Sequence, residues 1–228
     1  MIHHAVEQGS PEWIALRLGI PTASMFHKII TPAKLAYSAQ ARGYMFYLIA
    51  ERVLNQQLDS ISNLEWIERG KRLEPEAVRA YEFHHGVETA PIGFLTTDDG
   101  RIGATPDRFI VSTSYRGAVE LKCPAPQTHI EYMIDGFGND YILQAQGQNF
   151  VGELEFVDRW SYHPDLPPVP VRTPRDEHVI AALRSGLARF LDEYDAALET
   201  VMRRGYFEDR RKMTTAADEL AKELETQG

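Results

Sequence analysis

The sequence predicts an α/β protein in which helices flank a central mixed β-sheet. Three observations carry that expectation. Helix-start signals and apolar residues at helical spacing run from Ser10 to Gly86. A cluster of short strand-like runs, broken by turn residues, occupies residues 92–122. A helix, two more strands and a long amphipathic helix follow. Helices packed on the faces of a sheet are the stable way to bury such a series.

Each element has a local reason. Ser10-Pro11-Glu12-Trp13 reads as a helix start, with a Ser cap, Pro at the first helical position and an acid in the first turn; Gly19 stops that helix. Thr22 or Ser24 caps a second, running through Met25, Phe26, Ile29 and Ile30. A third is expected over Ser38–Leu58. A fourth starts at Asn63 and carries Leu64, Trp66, Ile67 and Leu73; Pro75 should interrupt or kink it before 77–83, and Gly86 should end it. Strands are expected over 92–97, 102–104, 109–112 and 118–122, separated by turns such as Asp98-Asp99-Gly100 and Arg116-Gly117. A helix over 140–151 and strands over 154–162 and 169–172 come next, the last with prolines that suit a sheet edge. The final helix places Ile180, Leu183, Leu187, Phe190, Tyr194, Leu198 and Val201 on one stripe. Residues 1–205 are read as one domain and 206–228 as a polar helical tail.

Composition narrows the class. The chain has 228 residues, is 43% hydrophobic and 25% charged, and contains one cysteine. That excludes a disulfide framework, a Cys₄ zinc site and a Cys-ligated iron–sulfur cluster within one chain. No apolar run approaches the roughly 20 residues of a membrane span, and Met1-Ile2-His3-His4 has no signal-peptide shape, so a cytoplasmic protein without membrane contact is expected. The net charge of −9 argues against a broad electrostatic grip on nucleic acid. The charge is uneven, however. Residues 13–73 hold eight basic against four acidic side chains, and residues 131–165 hold one against seven.

One constellation carries chemistry. Thr105-Pro106-Asp107 is followed, after twelve residues, by Glu120-Leu121-Lys122. Residues two apart on a strand face the same way, so Glu120 and Lys122 share a face while Leu121 points to the other. An adjacent strand end would bring Asp107 beside them. Two carboxylates and the Leu121 main-chain carbonyl are hard oxygen ligands suited to Mg²⁺, and Lys122 is placed to orient and help deprotonate a bound water. Hydrolysis of a phosphodiester by in-line attack fits such a set. A turn-capping aspartate and a solvent-facing Glu–Lys pair would leave the same pattern. Gly70-Lys71-Arg72-Leu73-Glu74 adds a helical acid, Glu74, as a candidate third carboxylate, and Gln144 and Gln146 on a following helix are candidate orienting amides.

The order of motifs resembles the phage lambda exonuclease family, the YqaJ-like viral recombinases within the PD-(D/E)xK nucleases. It comprises Trp13-Ile14-Ala15-Leu16-Arg17-Leu18-Gly19-Ile20-Pro21-Thr22-Ala23-Ser24, then G-x-x-x-E, then T-P-D, then E-L-K-C-P, then Y-x-x-Q-x-Q, and spans about Val6 to Arg172. The resemblance implies a restriction-endonuclease-like core. Asp107, Glu120 and the Leu121 carbonyl would bind Mg²⁺ (or Mn²⁺), with Glu74 beside them. Lys122 would activate the water, and Gln146 would touch the same cluster. Arg17 and Ser24 would hold a 5′-phosphate, with Thr105 beside them, and Trp13 would pack against its own helix or the DNA. The implied activity is a 5′→3′ double-strand exonuclease that leaves 3′ overhangs for single-strand annealing. Implied too are a homotrimeric ring, a phage annealing protein as partner and a bacterial host cytoplasm. Where the family carries a phosphate-pocket arginine this chain reads Ala125-Pro126-Gln127-Thr128-His129, leaving His129 as the substitute donor; the strand-separating wedge falls in the divergent segment 37–44. An endonuclease with the same core and an inactive end-binding module are the alternatives. His84-His85 has no spaced partners for a metal, and Cys123 reads as a small buried neighbour of the site.

Overall fold

The computed structural model describes residues 1–58, 64–113 and 116–204. The chain divides into two compact units, Met1–Leu187 and Ala188–Gly228. Within the first, β1 (Ile2–His4) precedes α1 (Pro11–Arg17), and the Ser10 side chain accepts the Trp13 N–H at 3.2 Å, as a helix cap does. Gly19 follows with φ +73°, and a Cβ there would meet the Arg52 Cβ at 2.6 Å. It therefore lets the chain turn against α2 (Ala41–Leu54), which is shorter at both ends than 38–58. The expected second helix is a 3₁₀ turn, Ala23–Lys28, with Thr22 at its N-cap and no side-chain cap bond.

Pro75 does not interrupt α3 (Leu64–His85), which continues through it to Gly86 at φ +63°. Lys71 and Pro75 are both exposed, so the carbonyl that loses its N–H partner faces water. One turn further on, Ala77 and Tyr81 are buried in the sheet core, which holds the helix past the proline. The Asn63 start lies outside the described residues.

The strands are β2 (Thr89–Pro91), β3 (Phe94–Thr96), β4 (Gly103–Ala104), β5 (Arg108–Ile110), β6 (Gly117–Lys122), β7 (Phe156–His163) and β8 (Leu166–Pro174). A small antiparallel sheet has the order β1-β3-β4, and the main sheet has the order β2-β5-β6-β7-β8. Only the β6–β7 pair of the main sheet is parallel, which makes it mixed. A parallel pair needs a long crossover. Here that crossover is α4 (Pro126–Asp135) and α5 (Asn139–Val151). α4 was not expected; with only His129 and Tyr132 buried, it lacks a long apolar stripe. β8 is one of the two edge strands, where its prolines are tolerated.

Val119, Leu121, Phe156 and Trp160 pack with Ala77 and Tyr81 on the α3 side of the sheet. The Tyr81 hydroxyl donates to Asp158 Oδ2 at 2.7 Å, and Arg172 grips the same carboxylate at 2.8 and 2.7 Å, tying α3 to β7 and β8. α5 lies against the 3₁₀ turn at Gly147, where a Cβ would meet Phe26 Cδ2 at 2.6 Å and the Ala23 Cβ at 3.0 Å. α6 (Glu177–Met202) buries Ile180, Leu183 and Leu187 in the first unit. In the second unit Phe190 and Tyr194 stack at 6.5 Å. The expected 206–228 tail lies outside the described residues. No helix among them is long and apolar enough to cross a membrane.

Gly147→Val forces overpacking between α5 and the 3₁₀ turn and is expected to cost about 1–3 kcal/mol. Gly43→Ala, at an exposed α2 position with open space around it, is expected to add up to about 1 kcal/mol. Urea denaturation of the two variants beside the parent chain measures both.

Candidate active site

The centre of the site is the end of β6. Arg108 is the first residue of β5 and pairs with Val119, and the Asp107 N–H donates to the Val119 carbonyl at 3.0 Å. Two residues later β5 no longer flanks β6. The Leu121 N–H instead donates to Asp107 Oδ2 at 2.6 Å. Along a strand, backbone groups two residues apart project to the same side, so the Leu121 carbonyl opens on the edge where Asp107 sits.

Glu120 projects to the α5 side and is 5% exposed. Its Oε1 accepts the Lys122 ammonium at 2.6 Å and the Gln144 amide at 2.7 Å, and its Oε2 accepts the Gln148 amide at 2.6 Å. Four residues make slightly more than one helical turn, so Gln144 and Gln148 share the face of α5 that looks at Glu120. Gln146 does not join them. It is turned about 200° around the helix and uses its amide on the Pro174 carbonyl at 2.8 Å and the Asp176 N–H at 3.0 Å. Contact between Gln146 and the acidic cluster, expected from the sequence, is thus corrected. Gln148 is the residue that was missed, and its signal was the four-residue spacing from Gln144.

The electrostatics follow from burial. Desolvation and the Glu120 carboxylate raise Asp107 well above the ordinary aspartate value, against the opposing pull of Lys122 and the Leu121 N–H. Burial opposes the charge on Lys122, but Glu120 and Asp107 outweigh it and hold the ammonium protonated beyond the usual lysine range. Glu74 comes from the other face of the sheet: it is exposed on α3, borders a cavity of about 1030 Å³ with Asp107, and adds to the rise of Asp107. Among the described residues no three acidic, His or Cys side chains gather closely enough to hold a metal. Asp107, Glu120 and the Leu121 carbonyl are the donors that would hold one, with Asp107 Oδ2 and both Glu120 oxygens already accepting hydrogen bonds. All are hard oxygens, and two are desolvated carboxylates whose repulsion a divalent cation would relieve, so the set suits such an ion.

A second group faces the first across a cavity of about 230 Å³, bordered by Arg17, Ser24, Thr105, Glu120 and Lys122. Arg17 donates to Thr105 Oγ1 at 3.0 Å and lies over the Trp13 ring at 4.1 Å. Trp13 in turn donates from Nε1 to the Gly93 carbonyl at 3.2 Å, which fixes the ring beneath the guanidinium. Trp13 therefore packs against its own helix through Arg17, and it also borders the cavity. Ser24 is exposed at the 3₁₀ turn, with Oγ 3.3 Å from Thr22 Oγ1. Gln8, a residue no sequence signal marked, borders the same cavity and donates to the Ile92 and Pro106 carbonyls at 2.7 and 3.2 Å, bracing the turn before Asp107.

His129 lies elsewhere. It is fully buried, with Nδ1 2.8 Å from Ser161 Oγ and Nε2 2.9 Å from the Pro167 carbonyl, so both ring nitrogens are engaged inside the fold. Its expected part in a phosphate pocket is corrected accordingly. Cys123 is half-buried and packs on the sheet core, with its thiol pushed up to about 11 by burial and nearby acids. His84 and His85 are exposed at the end of α3, with their rings 5.1 and 5.7 Å from that of Trp160.

A mixed sheet with a carboxylate–lysine cleft at the end of its central strand is a nuclease architecture, and comparison with known proteins narrows the class. Residues 12–155 match the YqaJ-like viral recombinase domain, and the chain belongs to that family. It is similar to the crystal structure of LHK-Exo, an alkaline exonuclease from Laribacter hongkongensis: 31% identity, TM-score 0.74, covering 86% of this chain and 97% of that one. A structure of LHK-Exo in complex with dAMP gives 33% identity and a TM-score of 0.75 over the same shares. A phage-related exonuclease from Haemophilus somnus 129PT shares the fold at 14% identity, with a TM-score of 0.65 over 80% of this chain and 96% of that one. Comparison with curated proteins gave no match. The chain is an exonuclease of phage type.

Asp107→Asn keeps an oxygen for the Leu121 N–H and removes a charge that the fold holds against its preference. Below the ordinary aspartate value of 3.8 the side chain is protonated in both folded and unfolded states and contributes no difference. Above it, the unfolded chain ionises first, so the raised folded value costs stability as pH rises. In EDTA at pH 8, Asp107→Asn is expected to melt above wild type, with the gap narrowing toward pH 4. A lower Tm for the variant at pH 8 would contradict the assignment.

Proposed function

We propose that this exonuclease binds duplex DNA ends, anchors the 5′-phosphate and hydrolyses the 5′ strand to mononucleotides, leaving a 3′ single-stranded overhang. One observation carries the reading: Arg17, Ser24 and Thr105 border the same 230 Å³ cavity as Glu120 and Lys122. An anion anchor set across a small cleft from a carboxylate–lysine centre suits a strand end better than a continuous strand. That favours the exonuclease over an endonuclease with the same core.

The residues divide the work. Arg17, preoriented by Thr105 and by the Trp13 ring, offers its guanidinium to the terminal phosphate, and the Ser24 hydroxyl donates from the 3₁₀ turn. Asp107, Glu120 and the Leu121 carbonyl would hold Mg²⁺, or Mn²⁺ in its place, with Glu74 supporting its waters. The bound ion would supply charge neutralisation at the phosphate and a more acidic water. Lys122, kept as an ammonium by Glu120, orients the attacking water and faces the negative charge that builds on the phosphate oxygens. Gln144 and Gln148 fix the Glu120 rotamer, so the carboxylate is preorganised.

The reading extends to assembly. A single chain with a net charge of −9 has little general attraction for duplex, so retention on DNA would come from a homotrimeric ring around it. The overhang would pass to a phage single-strand annealing protein in the cytoplasm of the bacterial host.

Digestion of long linear duplex tests this. Activity is expected with Mg²⁺ and none in EDTA. Lys122→Ala and Asp107→Ala should each lose at least about a hundredfold in rate, the lower end of what removing one preorganised electrostatic group costs. Removing the 5′-phosphate should slow wild type markedly and Arg17→Ala little. Cleavage of closed circular duplex, or equal rates with and without the phosphate, would overturn the end-directed reading.

A further inference from the structure

Lys122 stands between two environments. On one side it borders the 230 Å³ catalytic cleft with Arg17, Ser24 and Glu120. On the other it faces an aromatic wall of three rings. Tyr132 comes from α4, Phe137 from the link between α4 and α5, and Tyr141 from the first turn of α5. The rings lock one another. Tyr132 and Phe137 stack at 4.6 Å between centroids, and each makes a T-shaped contact with Tyr141, at 6.1 and 5.9 Å. The Tyr132 hydroxyl donates to the Tyr141 hydroxyl at 3.2 Å. Gly136, at φ +74°, ends α4 in a conformation that favours glycine, and the chain turns there to bury Phe137.

Two cations use this wall. The Lys122 ammonium lies over the Tyr141 ring at 5.6 Å, and the Arg159 guanidinium lies over the Phe137 ring at 5.0 Å. Arg159 is 6% exposed; its Nε donates to Thr173 Oγ1 at 3.0 Å, and its Nη1 has no hydrogen-bond partner. The Phe137 face is thus part of what compensates a buried guanidinium. The space that Lys122, Phe137, Tyr141 and Arg159 share is too narrow for a water molecule, so no solvent comes between cations and rings. Cation–π contacts are strongest when desolvated in this way.

An ammonium has three N–H donors. Glu120 Oε1 accepts one at 2.6 Å, and the Tyr141 face receives a second. Glu120 alone would let the ammonium pivot about a single hydrogen bond. The ring face removes that freedom and leaves the third donor for the cleft. We propose that Tyr141 is a positioning residue for Lys122, acting through the negative face of its ring, with Tyr132, Phe137 and Arg159 holding that ring in place. The inference rests on the part proposed above for Lys122 in orienting the attacking water.

Ring electronics separate this role from packing. Tyr141 is replaced by phenylalanine and then by mono-, di- and trifluorinated phenylalanine, which weaken the negative face stepwise while nearly keeping its shape. Tyr141→Phe is expected to retain most of the wild-type rate on linear duplex. Along the fluorinated series kcat should fall stepwise by about tenfold in total, the scale of one desolvated cation–π contact, with KM unchanged. Tyr141→Leu should lose at least as much. In EDTA, the methylene protons next to Lys122 Nζ should show an upfield ring-current shift that Tyr141→Phe keeps and Tyr141→Leu loses. A flat kcat across the fluorinated series, or no ring-current shift, would overturn the inference. Loss of rate already in Tyr141→Phe with a flat series beyond it would do the same and assign the effect to the hydroxyl. Wild-type digestion by Lys122→Ala would instead remove the role of Lys122 itself.

Discussion

The 2.6 Å hydrogen bond from the Leu121 N–H to Asp107 Oδ2 is the constraint on which the site depends. β5 leaves β6 one pair too early, and a side-chain carboxylate takes the place of the missing backbone acceptor. That substitution locks Asp107 against the strand carrying Glu120 and Lys122, and it turns a sheet irregularity into a converging pair of acids. The same bond pins Asp107 where it is desolvated and near Glu120, which is why its proton affinity rises. Everything around it supplies support: Gln8 under the preceding turn, Gln144 and Gln148 behind Glu120, and the Asp158–Arg172–Tyr81 knot holding α3 in place.

The two faces of the main sheet have separate tasks. The α3 side is an apolar packing surface, where Trp160 and Tyr81 are buried, and it delivers Glu74 on an exposed helical turn. The α5 side is polar at its centre, with a buried carboxylate satisfied by an ammonium and two amides. Glu120 takes three short bonds and is held in one arrangement, while the Gln148 Oε1 behind it is buried without a hydrogen-bond partner. Gly147 makes it possible by letting α5 settle onto the 3₁₀ turn that carries Ser24.

Much of this was legible in the sequence because it rests on local periodicities. The two-residue spacing puts Glu120 and Lys122 on one strand face, and Ser10-Pro11 marks the first helix. Legibility ended where placement depended on partners far along the chain. Gln146 and Gln148 are both polar residues on one helix, and only the position of Glu120 decides which of them matters. His129 follows the E-L-K-C-P motif closely, yet α4 turns it inward toward Ser161, a residue 32 positions away. Pro75 reads as a helix breaker by propensity, and the burial of Ala77 and Tyr81 overrode it.

The proline-rich edge has a consequence for how copies of this chain can meet. β8 contains four prolines in nine residues, and those whose nitrogens face the open edge remove N–H groups that a neighbouring strand would need. That border of the sheet is a poor template for another strand, which protects a long exposed margin from edge-to-edge aggregation. A meeting of two copies at that border would have to rest on side chains, because the β8 backbone cannot extend the ladder.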